Sequence, residues 1–163
     1  MAKTAQLQIR VSQEEKERIR AAAAREGMDV STYVLSRALP SERREFELAL
    51  QSLGESVGET TSSFAALHDL LEKLDAAGFA RAVDAAPAVY LDPFTANYVA
   101  AMVETAANRK GVAPPAWTPK IPPLPLPWFA SDLRSLRLYL LCESPVAFRR
   151  RNLFVDSTLG DRI

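Results

Sequence analysis

Three polar side chains at alternating positions near the start of the chain are the residues best suited to chemistry. Gln6, Gln8 and Arg10 carry two amides and a guanidinium. In the major groove of DNA an amide can form two hydrogen bonds with adenine, and a guanidinium can form two with guanine. These residue types therefore favour base recognition, although the solvent-exposed face of an ordinary sheet also carries such groups.

The three polar residues require a strand to hold them on one face. Leu7, Ile9 and Val11 alternate with them, and this period of two is the pattern of a half-buried strand. A lone strand is unstable because its backbone donors and acceptors need a partner, and no second strand is evident nearby. We therefore expect a second copy of the chain to pair with it, antiparallel, across a two-fold axis.

Two helices are predicted directly after the strand. Ser12 and Glu15 form the S-x-x-E capping box that begins a helix, and Gly27 provides the left-handed residue that ends it. Ser31 is the predicted N-cap of the second helix, and Pro40 ends or kinks that helix. Four helices from two chains would then cover the apolar face of the strand pair. The predicted dimer core consists of Leu7, Ile9, Val11, Ile19 and Val34.

Residues 6–39 resemble the ribbon-helix-helix family of the Arc and MetJ type. The shared features are the strand pattern Q-x-[N/Q]-x-R, the helix-ending Gly27 and the Val30 region. The resemblance implies a homodimer whose strands enter the major groove of palindromic operator DNA, with Gln6, Gln8 and Arg10 reading bases. It also implies that free amides at the start of the second helix hold a phosphate. The implied phosphate-binding residues are Lys3, Val30, Ser31 and Thr32.

Charge is distributed unevenly although the net charge is zero. Residues 1–44 contain nine Lys or Arg against six Asp or Glu, residues 45–104 contain two against ten, and residues 105–163 contain nine against four. The regional charges are thus +3, −8 and +5. A modestly basic start and an acidic middle suit a protein with two partners, although acidic helices are usually only solvated faces.

The predicted fold class is mainly α, with three regions. A ribbon-helix-helix domain over residues 1–40 is followed by a helical connector over 41–59 and a helical tail over 60–163 with an extended proline-rich segment. An apolar stripe over residues 61–77 fits a helix that is a core element, a coiled-coil seam or a partner-binding face. Asp92 and Pro93 are the predicted N-cap and first residue of another helix, which Gly111 closes.

The second half of the tail is rich in proline, aromatic and arginine residues. Residues 114–127 contain seven prolines and should be extended, packing across the tail or against a partner. Ser131 is the predicted N-cap of a further helix, and a second, short helix is predicted to begin at Ser144 and Pro145. The three consecutive arginines at 149–151 could bind nucleic acid, an acidic partner or the acidic middle of the chain, or could simply be solvated. Tentative partner-binding residues are Trp117, Trp128, Phe129, Arg149, Arg150 and Arg151.

The sequence does not suggest an enzyme, a metal site or a cofactor. His68 is the only histidine and borders an apolar helical stripe, and Cys142 is the only cysteine, in the apolar run LYLLCE, where we expect a buried and inert thiol. No phosphate-binding glycine motif occurs. No signal peptide or membrane-length apolar run is evident, so a cytoplasmic setting is expected.

The residues PWF…LRLYLLCESPVAFRRRNLFV resemble the tails of bacterial antitoxin-type proteins encoded beside nucleotidyltransferase-like toxins. This resemblance implies an antitoxin whose tail neutralises a cognate protein toxin while its first domain represses its own operon. One alternative is a plain transcriptional repressor with a ligand-sensing or oligomerising tail. Another is a plasmid-segregation DNA-binding protein.

Overall fold

A computed structural model describes residues 8–38, 41–55 and 60–156, and the fold is mainly α. The chain divides into two compact units at the boundary between residues 40 and 41, called here the head and the tail. Of the predicted site residues, Lys3, Gln6 and Leu7 lie outside the described residues. None of the helices in the described ranges has both the length and the hydrophobicity that crossing a membrane requires.

The head contains two helices, α1 at Gln13–Arg25 and α2 at Val30–Ala38. The predicted capping box is confirmed at the start of α1. The Glu15 amide donates to the Ser12 hydroxyl at 3.2 Å, and the Ser12 amide donates to the Glu15 carboxylate at 2.8 Å. Two backbone donors that the helix cannot satisfy itself are thereby paired, which fixes where α1 begins.

The turn between α1 and α2 is the predicted glycine cap. Gly27 has φ +67°, in the left-handed region. The Met28 amide donates to the Ala23 carbonyl at 3.0 Å and the Gly27 amide donates to the Ala24 carbonyl at 3.2 Å. These two bonds form a Schellman motif, which ends the helix and turns the chain toward α2.

The start of α2 differs from the prediction. Asp29, not Ser31, caps the helix, since the Thr32 amide donates to the Asp29 carboxylate at 3.0 Å and the Tyr33 amide donates to the Asp29 carbonyl at 2.9 Å. Asp is as good an N-cap as Ser, and it comes two residues earlier. Ser31 is therefore the second residue of the helix.

The described tail contains six α-helices. They are α3 at Glu42–Glu55, α4 at Thr60–Lys73, α5 at Ala76–Val83, α6 at Pro93–Arg109, α7 at Arg137–Glu143 and α8 at Val146–Arg149. Phe46 and Leu50 of α3 are completely buried against the rest of the tail. The predicted connector helix is therefore an integral part of the tail core.

The apolar stripe of α4 is a core element, as one of the three alternatives predicted. Leu67 and Leu71 are buried in the tail core. The helix is shorter than predicted, however, because Asp75 begins a separate helix. Its carboxylate accepts a hydrogen bond from the Gly78 amide at 2.7 Å, which caps α5.

Helix α6 is the central element of the tail core and begins and ends as predicted. The Asp92 carboxylate accepts the amides of Phe94 and Thr95 at 2.9 and 3.2 Å, and Pro93 is the first helical residue. Gly111, at φ +66°, follows the last turn. Ten residues of the helix are buried, so neighbouring elements pack around it on most sides.

The proline-rich segment packs across the tail, and its only helical element is a 3₁₀ turn at Thr118–Lys120. Beyond it, β1 at Trp128–Phe129 pairs in parallel with β2 at Leu153–Phe154. Ser131 does not cap an α-helix as predicted. Its hydroxyl accepts the Leu133 amide at 3.3 Å, a 3₁₀ turn follows, and α7 begins only at Arg137.

Candidate nucleic-acid interface

The segment before α1 presents the described members of the polar set to solvent. Gln8 and Arg10 are exposed and lie directly ahead of the capped start of α1 at Ser12. Residues 8–11 form no strand with any other described part of the chain. The described residues therefore supply no second strand for a two-stranded ribbon at this position.

The head also exposes apolar side chains that a stable unit would bury. Ile9 is 59% exposed and Val11 is 43% exposed. Of the other predicted dimer-core residues, Ile19 and Val34 are half-buried. Further exposed apolar residues of the head are Met28, Val30 and Leu35. Such a concentration of uncovered apolar surface in one small unit is typical of an association surface.

The N-terminus of α2 has an acidic cap where the resemblance implied a phosphate site. The Asp29 carboxylate accepts both the amide of Thr32, at 3.0 Å, and its hydroxyl, at 2.5 Å. Thr32 is therefore already bonded, whereas Val30 and Ser31 are the first two residues of the helix, and their amides have no carbonyl acceptor within it. Sequence analysis missed Asp29, although an Asp immediately before a helix is a recognisable signal.

An ion pair joins the two helices of the head. The Arg37 guanidinium lies 2.5 Å from the Glu26 carboxylate and 5.6 Å from the centre of the Tyr33 ring. The hydrogen bond from Arg37 to Glu26 raises the pKa of Arg37 above its usual value. Both side chains are largely exposed, so the pair orients α2 on α1 more than it stabilises the head.

Two of the tentative partner-binding residues are structural, which corrects the prediction. Trp117 is buried, and its indole N–H donates to the Val83 carbonyl at 2.8 Å. Arg151 is also buried and bonded within the tail. Neither side chain is available on an outer surface, because each completes contacts between segments far apart in sequence.

The other four tentative residues have mixed environments, and their partner role stays a prediction. Arg149 and Arg150 are exposed. Trp128 is 38% exposed, with its ring centre 4.9 Å from that of Phe94. Phe129 is half-buried and stacks on Phe154, also at 4.9 Å.

The single cysteine lies in the opposite environment from the one predicted. Cys142 is exposed on α7. The apolar run around it suggested a core helix, but only Leu140 of α7 is buried. The prediction that this thiol is buried was therefore wrong.

Comparison with known families gives a match that covers the head and the first part of α3. Residues 1–50 match the family model of NikA-like proteins, described as Mobilization protein NikA. The match spans less than a third of the 163 residues and gives no indication of a toxin partner. The chain has no significant match among curated proteins or among solved structures. The head, together with the first part of α3, is thus similar to a mobilization protein.

Proposed function

We propose that this protein is a dimeric, non-catalytic DNA-binding protein of the mobilization type, whose head binds a duplex site used in DNA transfer. The match of residues 1–50 to Mobilization protein NikA carries the proposal. It supports DNA binding and gives no support to the antitoxin hypothesis. Of the functions that the sequence suggests, it favours a plasmid-related DNA-binding protein over a toxin-neutralising one.

The head forms a ribbon-helix-helix dimer in this proposal. Residues preceding Ser12 from two chains pair as antiparallel strands, which places Ile9 and Val11 against the four helices. These two side chains are 59% and 43% exposed in one chain, and covering them supplies the driving force for pairing. The capping box at Ser12 supports this arrangement, because it fixes where the strand must stop and α1 begin.

Bases are read by the opposite face of the ribbon. Gln8 and Arg10 are exposed on the segment that would pair, and Gln6 belongs to the same alternating set. Two-fold symmetry presents each side chain twice, which suits an inverted repeat. A two-stranded ribbon fits the width of the major groove, where amides and guanidinium groups distinguish base pairs.

The DNA backbone is held at the start of α2. The amides of Val30 and Ser31 point along the helix axis toward its N-terminus, where the positive end of the helix dipole attracts phosphate. Lys3, which precedes the ribbon residues in the sequence, adds a further basic group for phosphate. Thr32 contributes by holding the Asp29 cap rather than by donating to phosphate, and the negative charge of Asp29 moderates the affinity.

The DNA-binding test starts from a random duplex library. Full-length protein should enrich an inverted repeat, and Arg10→Ala should lose about 1–3 kcal/mol of binding to that repeat with relaxed preference at one base pair in each half-site. Arg20→Ala is the matched control, because it removes the same charge from the exposed side of α1. Equal losses for both variants on repeat and random DNA would reduce Arg10 to a non-specific contact.

The biological test separates mobilization from toxin neutralisation. Deleting the gene from a transferable element should lower its transfer frequency, wild-type protein should restore it, and Arg10→Ala should not. A transfer frequency that does not respond to the deletion would refute the mobilization proposal. A neighbouring gene that is lethal without this chain would instead favour the antitoxin hypothesis.

A further inference from the structure

Trp128 is a partly exposed aromatic residue whose position is fixed by its neighbours. Its own amide donates to the Asn152 carbonyl at 2.8 Å, and the Ala130 amide, two residues on, donates to the Phe154 carbonyl at 2.9 Å. The centre of its ring lies 4.9 Å from that of Phe94, in an edge-to-face contact. The indole is therefore held in place although Trp128 is 38% exposed.

The two tryptophans of the chain differ in how far the tail satisfies them. Trp117 is 7% exposed, and its indole N–H donates to the Val83 carbonyl. The indole N–H of Trp128 forms no hydrogen bond with any residue that the structure describes. A tryptophan that only fills a core is ordinarily buried with its N–H paired. The exposed ring of Trp128 and its N–H thus fit a ligand that has a flat apolar surface and a hydrogen-bond acceptor.

Two exposed arginines lie close to Trp128 in the fold. Arg149 and Arg150 form no ion pair with the described residues. The Arg149 carbonyl accepts the Asn152 amide at 3.1 Å, and the Asn152 carbonyl accepts the Trp128 amide. A single residue therefore bridges the backbones of Arg149 and Trp128. Guanidinium groups beside an exposed indole are suited to binding phosphates and bases together.

The turn between α8 and β2 fixes this arrangement. Asn152 has φ 58°, a left-handed conformation that Asn adopts more readily than most residues, and its side-chain amide donates to the Leu124 carbonyl at 2.6 Å. Arg151, which precedes it, is buried and bonded to Glu104. The exposed arginines and Trp128 are thus attached to the same anchored turn.

We propose that Trp128, Arg149 and Arg150 form a binding site for single-stranded nucleic acid on the tail. One base stacks on the exposed indole, and the two arginines bind phosphates of the same strand. A duplex does not fit in the same way, because its bases are stacked on one another and offer no free face to a side chain. The site lies in a different unit from the proposed duplex site of the head and does not depend on it.

An acidic peptide fits these residues less well than a single strand. It would neutralise the two arginines but would leave the indole without a flat partner. The net charge of +5 over residues 105–163 attracts a polyanion in general. Asp92, two residues before Phe94, is acidic, but its carboxylate accepts the amides of Phe94 and Thr95 at the start of α6, where the helix dipole offsets its charge.

Oligothymidylate added to the full-length protein tests the site through tryptophan fluorescence. Stacking of a base on Trp128 should quench its emission, whereas Trp117 is buried and should give a constant signal. In fluorescence anisotropy with a labelled oligothymidylate, Trp128→Leu should bind at least about tenfold more weakly than wild type. Trp128→Tyr keeps an aromatic face and should bind within about threefold of wild type. Urea unfolding followed by Trp117 emission checks that the tail of Trp128→Leu is folded.

The arginines are tested by the dependence of binding on salt. Arg149→Ala and Arg150→Ala should each reduce the slope of log affinity against log salt concentration by about 0.7, because each removes one phosphate contact. The control is Arg44→Ala, which removes the same charge from an exposed position on α3 and should leave the slope unchanged.

Three results would overturn the proposal. The first is binding of oligothymidylate that leaves tryptophan emission unchanged, and the second is equal affinity of wild type and Trp128→Leu. The third is displacement of oligothymidylate by polyglutamate at equal concentration of charge, which would indicate an acidic protein partner.

Arg10→Ala separates this proposal from that of the duplex site. It should weaken binding to the inverted repeat and leave the affinity for oligothymidylate unchanged, whereas Trp128→Leu should do the reverse. If Arg10→Ala abolished binding of oligothymidylate, the single strand would belong to the head and the tail site would be refuted.

Discussion

Replacing Arg151 by methionine should destabilise the tail by about 3–5 kcal/mol, because this guanidinium joins three segments in the protein interior. It bonds the Glu104 carboxylate of α6 at 2.5 Å, the Thr118 carbonyl of the proline-rich segment at 2.9 Å and the Asn97 side-chain oxygen at 3.3 Å. The side chain is only 6% exposed, so water cannot substitute for these bonds.

The magnitude follows from what the substitution leaves behind. Methionine fills a similar volume, so the loss of packing is small. Glu104, 15% exposed, keeps a largely desolvated negative charge without its cation, and the Thr118 carbonyl loses its donor. Breaking a buried pair from one side costs several kcal/mol, whereas replacing both partners by apolar residues is often neutral. Arg151→Met/Glu104→Met should therefore recover at least half of the lost stability.

Urea unfolding followed by tryptophan fluorescence measures this effect. Both tryptophans of the chain, Trp117 and Trp128, lie in the tail, so the signal reports that unit alone. Arg150→Met is the matched control: the neighbouring arginine is exposed, and its loss should change the free energy of unfolding by less than about 0.5 kcal/mol. If both single variants cost the same, or the double variant is less stable than Arg151→Met, the structural role assigned to Arg151 is refuted.

Three further changes test the head and the core. Gly27→Ala should destabilise the head by about 1–2 kcal/mol through backbone strain alone, since no atom lies within 4 Å of an added methyl group. Thermal unfolding followed by circular dichroism measures this loss. The control is Gly54→Ala, inside α3, where an added methyl group meets its neighbours at ordinary contact distances and should not destabilise the tail. Burial raises the pKa of Tyr98 to about 12, so the neutral hydroxyl contributes its full stabilisation below pH 10. The free energy of unfolding should then fall by about 2–3 kcal/mol as the pH rises from 10 to 12. Tyr98→Phe should not show this fall, and a variant with the same alkaline profile as the wild type would contradict the prediction. Asp29→Asn keeps the cap but removes a negative charge from the proposed phosphate site, so DNA affinity should rise by about 0.5–1 kcal/mol in a fluorescence titration; weaker binding would place the phosphate elsewhere.

Local signals in the sequence predicted local structure well. The capping box at Ser12, the left-handed Gly27 and the Asp92–Pro93 start of α6 are all found where the sequence placed them. Each depends on hydrogen bonds within about five residues, so the sequence contains the whole interaction. The error at Ser31 arose because Asp29, two residues earlier, was an equally good N-cap candidate. The error in the length of α4 arose because Asp75 caps a new helix within the stretch that was predicted as one helix.

Environments set by distant residues could not be predicted in the same way. Three consecutive arginines look alike in sequence, yet Arg151 is buried while Arg149 and Arg150 are exposed. The difference arises from Glu104 and Thr118, which lie 47 and 33 residues away. Cys142 shows the same limit, because the apolar run around it does not reveal which side of α7 meets the core.

The proline-rich segment affects the tail through the unfolded chain as well as through its contacts. Seven of its fourteen residues have φ fixed by the pyrrolidine ring before folding begins. Ordering them costs less conformational entropy than ordering an ordinary loop of the same length. A long stretch with a single 3₁₀ turn can thus remain in place over α6, anchored by the Trp117 indole, the carbonyls of Thr118 and Pro122, and both backbone groups of Leu124.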